Sequence, residues 1–232
     1  MDFPKFVSLL EYGSSFFCRV DKLGDAFEGS YPKAKIQANF LDLKSKNGKI
    51  ESKRYRGELD ESLEKSQRDM GKKQSQCAFV NCWHINQNES SSLWGLYGKD
   101  KGIAIQSTLG RLKSSFQNDK HRIYLFPITY KDYSVDVIDD ISFSFSAIIH
   151  KRIQFDSERE IRALIFFLPT NENIQKYTNV DGINVNTSLD TLIENIYLND
   201  STGWLTDLLN RIVKRYNLSR NINKSSLTEL PE

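Results

Sequence analysis

Charged side chains crowd the stretch KRIQFDSEREIRALI, residues 151–165, at the entry to the most hydrophobic strand-like run of the chain. If the backbone is extended from Glu158 onward, Glu158, Glu160 and Arg162 share one face of a strand. One carboxylate could then act as a general base or bind a ribose hydroxyl, and Arg162 or Lys151 could bind an anion. A structural ion-pair network at the end of the strand explains the same residues, because charges rarely adjoin a core strand without a partner or a purpose.

A second group of reactive side chains lies in NCWHINQNESSSLWGLYGKDKGIAIQST, residues 81–108. A helix is predicted across ESSSLWGLYG, and the hydroxyl of its Tyr97 is a candidate catalytic group, with a core aromatic role as the alternative. Gln106, Ser107 and Thr108 end the apolar strand predicted at GIAIQST, and strand ends of this kind commonly bind ligands in open α/β sheets. Ser107 or Thr108 can also cap the helix that follows.

The two stretches together define the predicted site. The predicted catalytic residues are Glu160, Glu158 and Tyr97, and the predicted substrate-binding residues are Ser107, Thr108, Gln106, Arg162 and Lys151.

The cysteines and histidines argue against a metal site. Residues two apart on a strand share a face, so Cys82 and His84 point together while Cys77 points the other way. His121 and His150 lack the spacing of metal ligands, and we predict no metal. The 3 cysteines cannot all pair and lie among apolar neighbours, which is typical of reduced thiols.

Alternating strand and helix patterns must position these groups, and they predict a mixed α/β fold, α+β in type, with one central mixed sheet flanked by helices. REIRALIFFL, residues 159–168, predicts a central strand, whereas Pro127 predicts an edge or a bulge. No Pro/Gly/Ser-rich linker divides residues 1–232, so we expect one domain. STGWLTDLLNRIVKRYNL predicts a capped helix with one apolar side, formed by Trp204, Leu205, Leu208, Leu209 and Ile212.

The region near residues 31–75 is polar, and its sequence predicts an exposed helical segment that leaves the domain core, here called the excursion. Between Tyr31 and Gln76 there are 12 Lys and Arg against 7 Asp and Glu, with few apolar anchors. The excursion is a candidate surface for a protein partner or nucleic acid, and a solvated insertion is the alternative.

The overall charge, 32 Lys and Arg against 30 Asp and Glu, provides no strong nucleic-acid signal, although a local basic patch is compatible with it. No apolar run approaches the roughly 20 residues of a membrane helix. The start, MDFPKFVSLL, lacks the basic region of a secretion signal. We therefore expect a cytoplasmic protein with no membrane partner.

Several pieces of the chain, in order, resemble the bacterial family called domain of unknown function 2971. They are DKLGDAFEGS, VNCWHINQNESSSLWGLYG, GIAIQST, ITYKDY, HKRIQFDSEREIRALI and NKSSL. The resemblance covers nearly the whole chain but implies no established activity. The family usually has proline where this chain has Ala26, and it tends to carry a strand ending in Arg-Tyr before the segment that begins here at Met1, which implies either a start assigned too late or a missing first strand.

Two motifs are also similar to those of ADP-ribosyltransferases that modify proteins. Ser107 and Thr108 resemble a Ser-Thr-Ser strand, and Glu158 and Glu160 resemble a Glu-x-Glu element. The resemblance implies a nucleotide-dependent transferase, for which NAD is the candidate among otherwise unknown cofactors. In it, Glu160 holds the nicotinamide ribose and stabilises an oxocarbenium-like transition state, and Glu158 orients or deprotonates the acceptor.

Two other hypotheses remain open. The chain could be a non-enzymatic stress or phage-defence interaction module that uses its carboxylates structurally, with Glu160 locked against Arg162 or Arg159. It could instead process nucleic acid with a divalent metal, which would require a third oxygen ligand from Asp25 or Glu28.

Overall fold

The computed structural model describes residues 1–31, 53–98, 101–136, 146–200 and 203–228. These residues form both helices and sheets, so the predicted mixed α/β class is confirmed.

The elements of the described residues are as follows. The α-helices are α1 (Phe3–Tyr12), α2 (Lys53–Gln76), α3 (Ser91–Leu93), α4 (Leu109–Ser115), α5 (Asn171–Tyr177), α6 (Leu189–Leu192) and α7 (Trp204–Arg215). A π-helix (Trp94–Gly98) continues α3, and 3-10 helices occupy Val20–Lys22, Ile153–Glu158 and Ser226–Thr228. The strands are β1 (Ser14–Arg19), β2 (Ala78–His84), β3 (Ile103–Gln106), β4 (Tyr124–Pro127), β5 (Thr129–Lys131), β6 (His150–Arg152), β7 (Glu160–Phe166), β8 (Gly182–Asn186), β9 (Asn195–Leu198) and β10 (Ile222–Lys224).

The strands form three sheets: a five-stranded sheet with the order β4-β7-β2-β1-β8, a three-stranded sheet with the order β10-β9-β3, and a two-stranded sheet of β5 and β6. The predicted central sheet corresponds to the five-stranded one, in which β7 pairs antiparallel with both β2 and β4. Parallel pairing occurs in the smaller sheets, between β9 and β10 and between β5 and β6. As predicted, β7 lies inside its sheet and β4, which carries Pro127, lies at an edge.

Contacts along the chain define two compact units. Unit 1 comprises Met1–Phe16, Ile85–Ile123 and Asn184–Glu232, and unit 2 comprises Phe17–His84 and Tyr124–Ile183. The expectation of a single domain stays a prediction.

Unit 1 contains helices and the three-stranded sheet, and its α7 contacts β10. Its α1 begins where the Asp2 carboxylate accepts a hydrogen bond from the Lys5 amide, and it ends at Gly13, whose φ of 52° suits a left-handed cap. Buried apolar side chains of the unit include Phe6, Leu10, Ile103, Leu112, Ile196, Leu205, Leu209 and Val213.

Unit 2 has an apolar cluster of Val20, Ala78, Val80, Ile148 and Leu164 at its centre. Both faces of β7 are buried, because Leu164 belongs to this cluster while Ile161, Ala163 and Ile165 are buried on the opposite face. This explains why the strand reads as a nearly continuous apolar run.

The chain is not extended from Glu158 onward, so the condition under which Glu158, Glu160 and Arg162 would share one strand face is not met. Glu158 ends a 3-10 helix, Arg159 adopts a left-handed conformation with φ of 44°, and β7 begins only at Glu160. Glu160 and Arg162 therefore share a strand face as predicted, whereas Glu158 approaches them from a turn.

The polar excursion is helical in its described part. The 24-residue α2 covers Lys53–Gln76, and residues 32–52 of the excursion lie outside the described residues. The helix exposes Lys65, Arg68, Lys72 and Lys73, while Gly71, Gln74 and Ser75 near its end are buried.

The helix predicted near the C-terminus is α7, but its apolar side differs from the prediction. Leu205, Leu209 and Val213 are buried, whereas Trp204 and Leu208 are exposed. Across the residues that the structure describes, no helix combines the length and hydrophobicity required to span a bilayer.

Candidate functional site: a buried charge cluster in unit 2

One face of β7 changes from apolar to charged along the strand. Leu164 packs in the apolar cluster, and the next two residues on that face are Arg162 and Glu160. On β2, Cys82 lies opposite Arg162 and His84 lies opposite Glu160. The charged end of the face is therefore continuous with the core of unit 2.

Arg162 is the centre of this charged end and is only 1% exposed. Its Nε donates to Glu160 Oε1 at 2.5 Å, and one terminal nitrogen donates to both carboxylate oxygens of Glu28 at 2.9 and 2.8 Å. The other terminal nitrogen donates to the carbonyl oxygen of Ile148 at 2.7 Å. A planar guanidinium suits several acceptors held in fixed directions, and here its donors are satisfied within the protein.

Lys151 supplies the second cation. Its Nζ donates to Glu158 Oε2 at 2.7 Å and to Glu160 Oε2 at 3.2 Å, and it lies 3.4 Å from Glu28 Oε1. We call these five residues, Glu28, Lys151, Glu158, Glu160 and Arg162, the charge cluster. Four residues of the predicted site thus come together in unit 2.

The loop that follows the 3-10 helix Val20–Lys22 contacts the charge cluster. Besides Glu28, the loop carries Asp25, which accepts two hydrogen bonds from the Arg152 guanidinium at 2.8 and 3.2 Å. The Arg152 guanidinium also lies 4.3 Å from the centre of the Phe27 ring. Asp25 and Glu28, which the sequence suggested as oxygen ligands of a metal, are therefore ion-pair partners.

The end of α2 holds this loop in place. Gly29 has φ of +71°, and a Cβ at this position would lie 2.7 Å from the Cβ of Ser75 on the helix. The Tyr31 hydroxyl donates to Gln74 Oε1 at 2.9 Å. Only glycine fits both this conformation and this close approach.

The cluster holds three carboxylates and two cations. The pKa values of Glu160, Lys151 and Glu28 reflect the balance between burial, which disfavours their charged forms, and attraction between opposite charges. Burial alone disfavours ionisation of Glu160, but the charge and hydrogen bond of Arg162, with Lys151, outweigh it and lower the pKa of Glu160 to about 2. For Lys151, the hydrogen bond that it donates to Glu158 and the carboxylate charges overcome desolvation and raise its pKa. Burial raises the pKa of Glu28, because desolvation outweighs the opposing charges of Arg162 and Lys151.

Cys82 lies beside the cluster without the properties of a nucleophile. The residue retains exposed surface, yet the protein atoms around its sulfur and the Glu160 carboxylate raise the pKa of the thiol well above its usual value. His84 shares the face with Cys82, as predicted, and its Nδ1 lies 2.7 Å from the carbonyl oxygen of Glu158. A thiolate is disfavoured at this position.

The other predicted site residues belong to unit 1. Tyr97 lies half-exposed in the π-helix, and Thr108 caps α4 by accepting a hydrogen bond from the Arg111 amide at 3.2 Å. Ser107 donates to the carbonyl oxygen of Leu192 at 2.5 Å. Gln106 Oε1 accepts hydrogen bonds at 2.8 and 3.3 Å from two side chains of β9, Asn195 and Tyr197. The contacts of Gln106, Ser107 and Thr108 are those of structural residues.

Glu89 forms a set of hydrogen bonds in unit 1 that the sequence did not predict, and we call this set the clamp. Glu89 Oε2 accepts from Trp94 Nε1 at 2.9 Å and from Ser225 Oγ at 2.6 Å. Its Oε1 accepts from the amide and the hydroxyl of Ser226, both at 2.9 Å. These contacts join the pieces ESSSLWGLYG and NKSSL, which lie far apart in the chain. They lower the pKa of Glu89 despite the desolvation that opposes its ionisation.

The carboxylate oxygens of Glu160 and Glu28 are already engaged inside the protein, and in this sense the charge cluster is closed. Both oxygens of Glu160 and both oxygens of Glu28 accept from cations, so a ligand would have to displace an ion pair to reach either carboxylate. Among the described residues, no group of three or more His, Cys, Asp or Glu side chains could hold a metal ion. The arrangement is that of a buried ion-pair network.

Comparisons with known proteins add no relative. A scan against protein-family models found no match, and searches of curated proteins and of solved structures found none either. Membership of the domain of unknown function 2971 family therefore stays a prediction.

Proposed function

We propose that this chain is a non-enzymatic interaction module whose charge cluster stabilises unit 2 and whose α2 binds an acidic segment of a partner protein. The engagement of Glu160 carries the proposal: the residue is 3% exposed, and its carboxylate accepts hydrogen bonds from Arg162 and Lys151. A transferase would need this carboxylate to meet a ribose hydroxyl, and that requires breaking buried ion pairs.

The exposed surface of α2 supports the binding half of the proposal. Lys65, Arg68 and Lys72 follow one another at spacings of three and four residues, so they form one stripe along the helix. Lys73 lies next to the stripe, and among the described side chains of α2 the exposed acidic ones are Glu61 and Asp69. This excess of positive charge is complementary to an acidic segment.

The sequence of α2 has few apolar residues, so burial of an apolar face does not explain the helix. Among the residues of α2 whose burial the structure describes, the buried ones are Gly71, Gln74 and Ser75, near the end of the helix. A long helix whose described side chains are mostly exposed is well suited to present them to another molecule.

The test measures binding of fluorescently labelled poly-L-glutamate to the full chain by fluorescence anisotropy. The double variant Lys65→Glu/Lys72→Glu should weaken binding by about tenfold or more, because like charges across an interface are strongly unfavourable. The matched control is Lys113→Glu/Lys120→Glu, which makes the same charge change at exposed positions of unit 1.

The proposal predicts that the control binds like the unaltered chain. Equal losses in both variants would mean that only net charge matters, and unchanged binding in the α2 variant would remove α2 as the interaction surface.

A further inference from the structure

Two arginines of unit 1 are anchored on the same two backbone oxygens. Arg111 and Arg220 each donate to the carbonyl oxygens of Asp190 and Ile193, at distances between 2.7 and 2.9 Å. The shared acceptors hold the two guanidinium groups side by side, although like charges repel at this range. The Nε of Arg111 is buried and has no hydrogen-bond partner among the described residues.

These arginines line a cavity of about 270 Å³ together with Asn195, Ser219 and Asn221. Arg220 uses three of its nitrogens for backbone carbonyls, so its position is fixed while part of its donor set remains for a ligand. Glu194 lines this cavity, and the carboxylate of Asp190 lies 3.8 Å from a terminal nitrogen of Arg220. Two adjacent guanidiniums and two amides form a surface that fits a phosphate group.

The cavity continues into a larger groove along α7. The groove has a volume of about 1000 Å³ and shares Ser219, Arg220 and Asn221 with the smaller cavity. Arg211 and Lys214 line it from the helix, with Asp207 as its acidic residue. Within the described part of the chain, neither Arg211 nor Lys214 forms a salt bridge. Positive charge therefore follows the groove from Arg111 to Arg211.

An aromatic side chain lies on the same side of the helix as the groove. Trp204 begins α7, is 52% exposed, and precedes the groove residue Arg211 by seven residues, which is two helical turns. The Nζ of Lys101 lies 4.8 Å from the centre of the Trp204 ring. An exposed indole beside a basic groove resembles the stacking surfaces on which proteins bind unpaired bases.

We propose that unit 1 binds single-stranded nucleic acid, with phosphates along the groove of Arg111, Arg211, Lys214 and Arg220 and a base stacked on Trp204. The groove is polar and as large as the largest small-molecule pockets, which are mostly apolar, so an extended polyanion fits it better than a compact ligand. The indole favours nucleic acid over other polyanions. This site is separate from the α2 surface and does not depend on it.

The test is fluorescence anisotropy with labelled single-stranded RNA and, separately, DNA of about 12 nucleotides, a length within the range that one binding groove covers. The double variant Arg211→Ala/Lys214→Ala should weaken binding by about threefold or more per lost phosphate contact, and it should flatten the salt dependence by about 0.7 per contact. The matched control is Arg215→Ala/Lys224→Ala, which removes two exposed positive charges of unit 1 that do not line the groove.

Three results support the proposal: binding by the unaltered chain of RNA or DNA, retention in the control, and loss in the groove variant. A Trp204→Ala variant should also bind about fivefold or more weakly. Equal loss in groove variant and control, unchanged affinity in Trp204→Ala, or displacement of the oligonucleotide by equal concentrations of AMP or poly-L-glutamate would each overturn it. Circular dichroism of each variant verifies that α7 remains folded.

Discussion

Replacing Arg162 with methionine should destabilise unit 2 severely. The substitution removes the cation that neutralises Glu28 and Glu160 and leaves both carboxylates with Lys151 alone. Removing one partner of a buried ion pair costs about 3–5 kcal/mol of unfolding free energy. Because domains of this kind are stable by only about 5–15 kcal/mol, the variant should lie close to unfolding.

Urea denaturation followed by circular dichroism measures the effect. The matched control is Arg152→Met, which removes the guanidinium paired with Asp25. The Arg152 side chain is 31% exposed and that of Arg162 is 1% exposed, so the control should lose only about 1 kcal/mol.

A third variant separates lost packing from uncompensated charge. Adding Glu28→Gln to Arg162→Met removes one of the stranded carboxylates, so the double variant should be less destabilised than the sum of the two single changes, with a coupling of about 1–3 kcal/mol. Equal losses in Arg162→Met and Arg152→Met, or additive effects in the double variant, would refute the description of the cluster as a closed ion-pair network.

Further expectations concern acid stability, the unit 1 clamp and the loop. The pKa of Glu160 is about 2 in the folded protein, below its usual value near 4.5, so Glu160 stabilises the folded state above pH 4.5 and this contribution, about 3 kcal/mol, is lost as the pH falls towards 2. Denaturation at stepped pH should show that loss, and the Glu160→Gln variant should not show it. The pKa of Glu28 is raised, so Glu28 has the opposite effect: it favours the folded state at low pH, and this contribution is lost as the pH rises through the pKa of Glu28. Glu89→Ala leaves the groups of the clamp without their acceptor and should cost about 1–3 kcal/mol in urea denaturation, whereas a neutral loss would show that the clamp is not stabilising. Gly29→Ala should cost about 1–3 kcal/mol because of its positive φ and the 2.7 Å approach to Ser75, and Gly24→Ala, which meets no atom within 4 Å, is the control that should retain stability.

Period-two alternation was sufficient to place Glu160 and Arg162 on one face of a buried strand, because the pleat of a strand fixes that relation locally. It could not place Glu158, since the left-handed Arg159 has no glycine or asparagine to signal the turn. The strongest partner of Arg162 outside the strand, Glu28, lies 134 residues earlier in the chain, and no local pattern joins the two.

The apolar side of α7 illustrates a second limit. Trp204 and Leu208 lie one residue before Leu205 and Leu209, so two adjacent stripes of the helix are both apolar in the sequence. Only packing decides that Leu205, Leu209 and Val213 are buried and that Trp204 is exposed. The basic groove shows the same limit, because Arg111 meets Arg220 only through the carbonyl oxygens of α6 and the residue after it.

The most direct test of the central claim compares Glu160→Gln with the unaltered chain in two measurements, urea denaturation and thermal shift with NAD+. If the charge cluster is structural, the variant loses about 3 kcal/mol of unfolding free energy, and NAD+ stabilises neither protein. Full retention of stability in the variant, together with an NAD+ stabilisation that only the unaltered chain shows, would contradict the account and make Glu160 a residue of a nucleotide-dependent transferase.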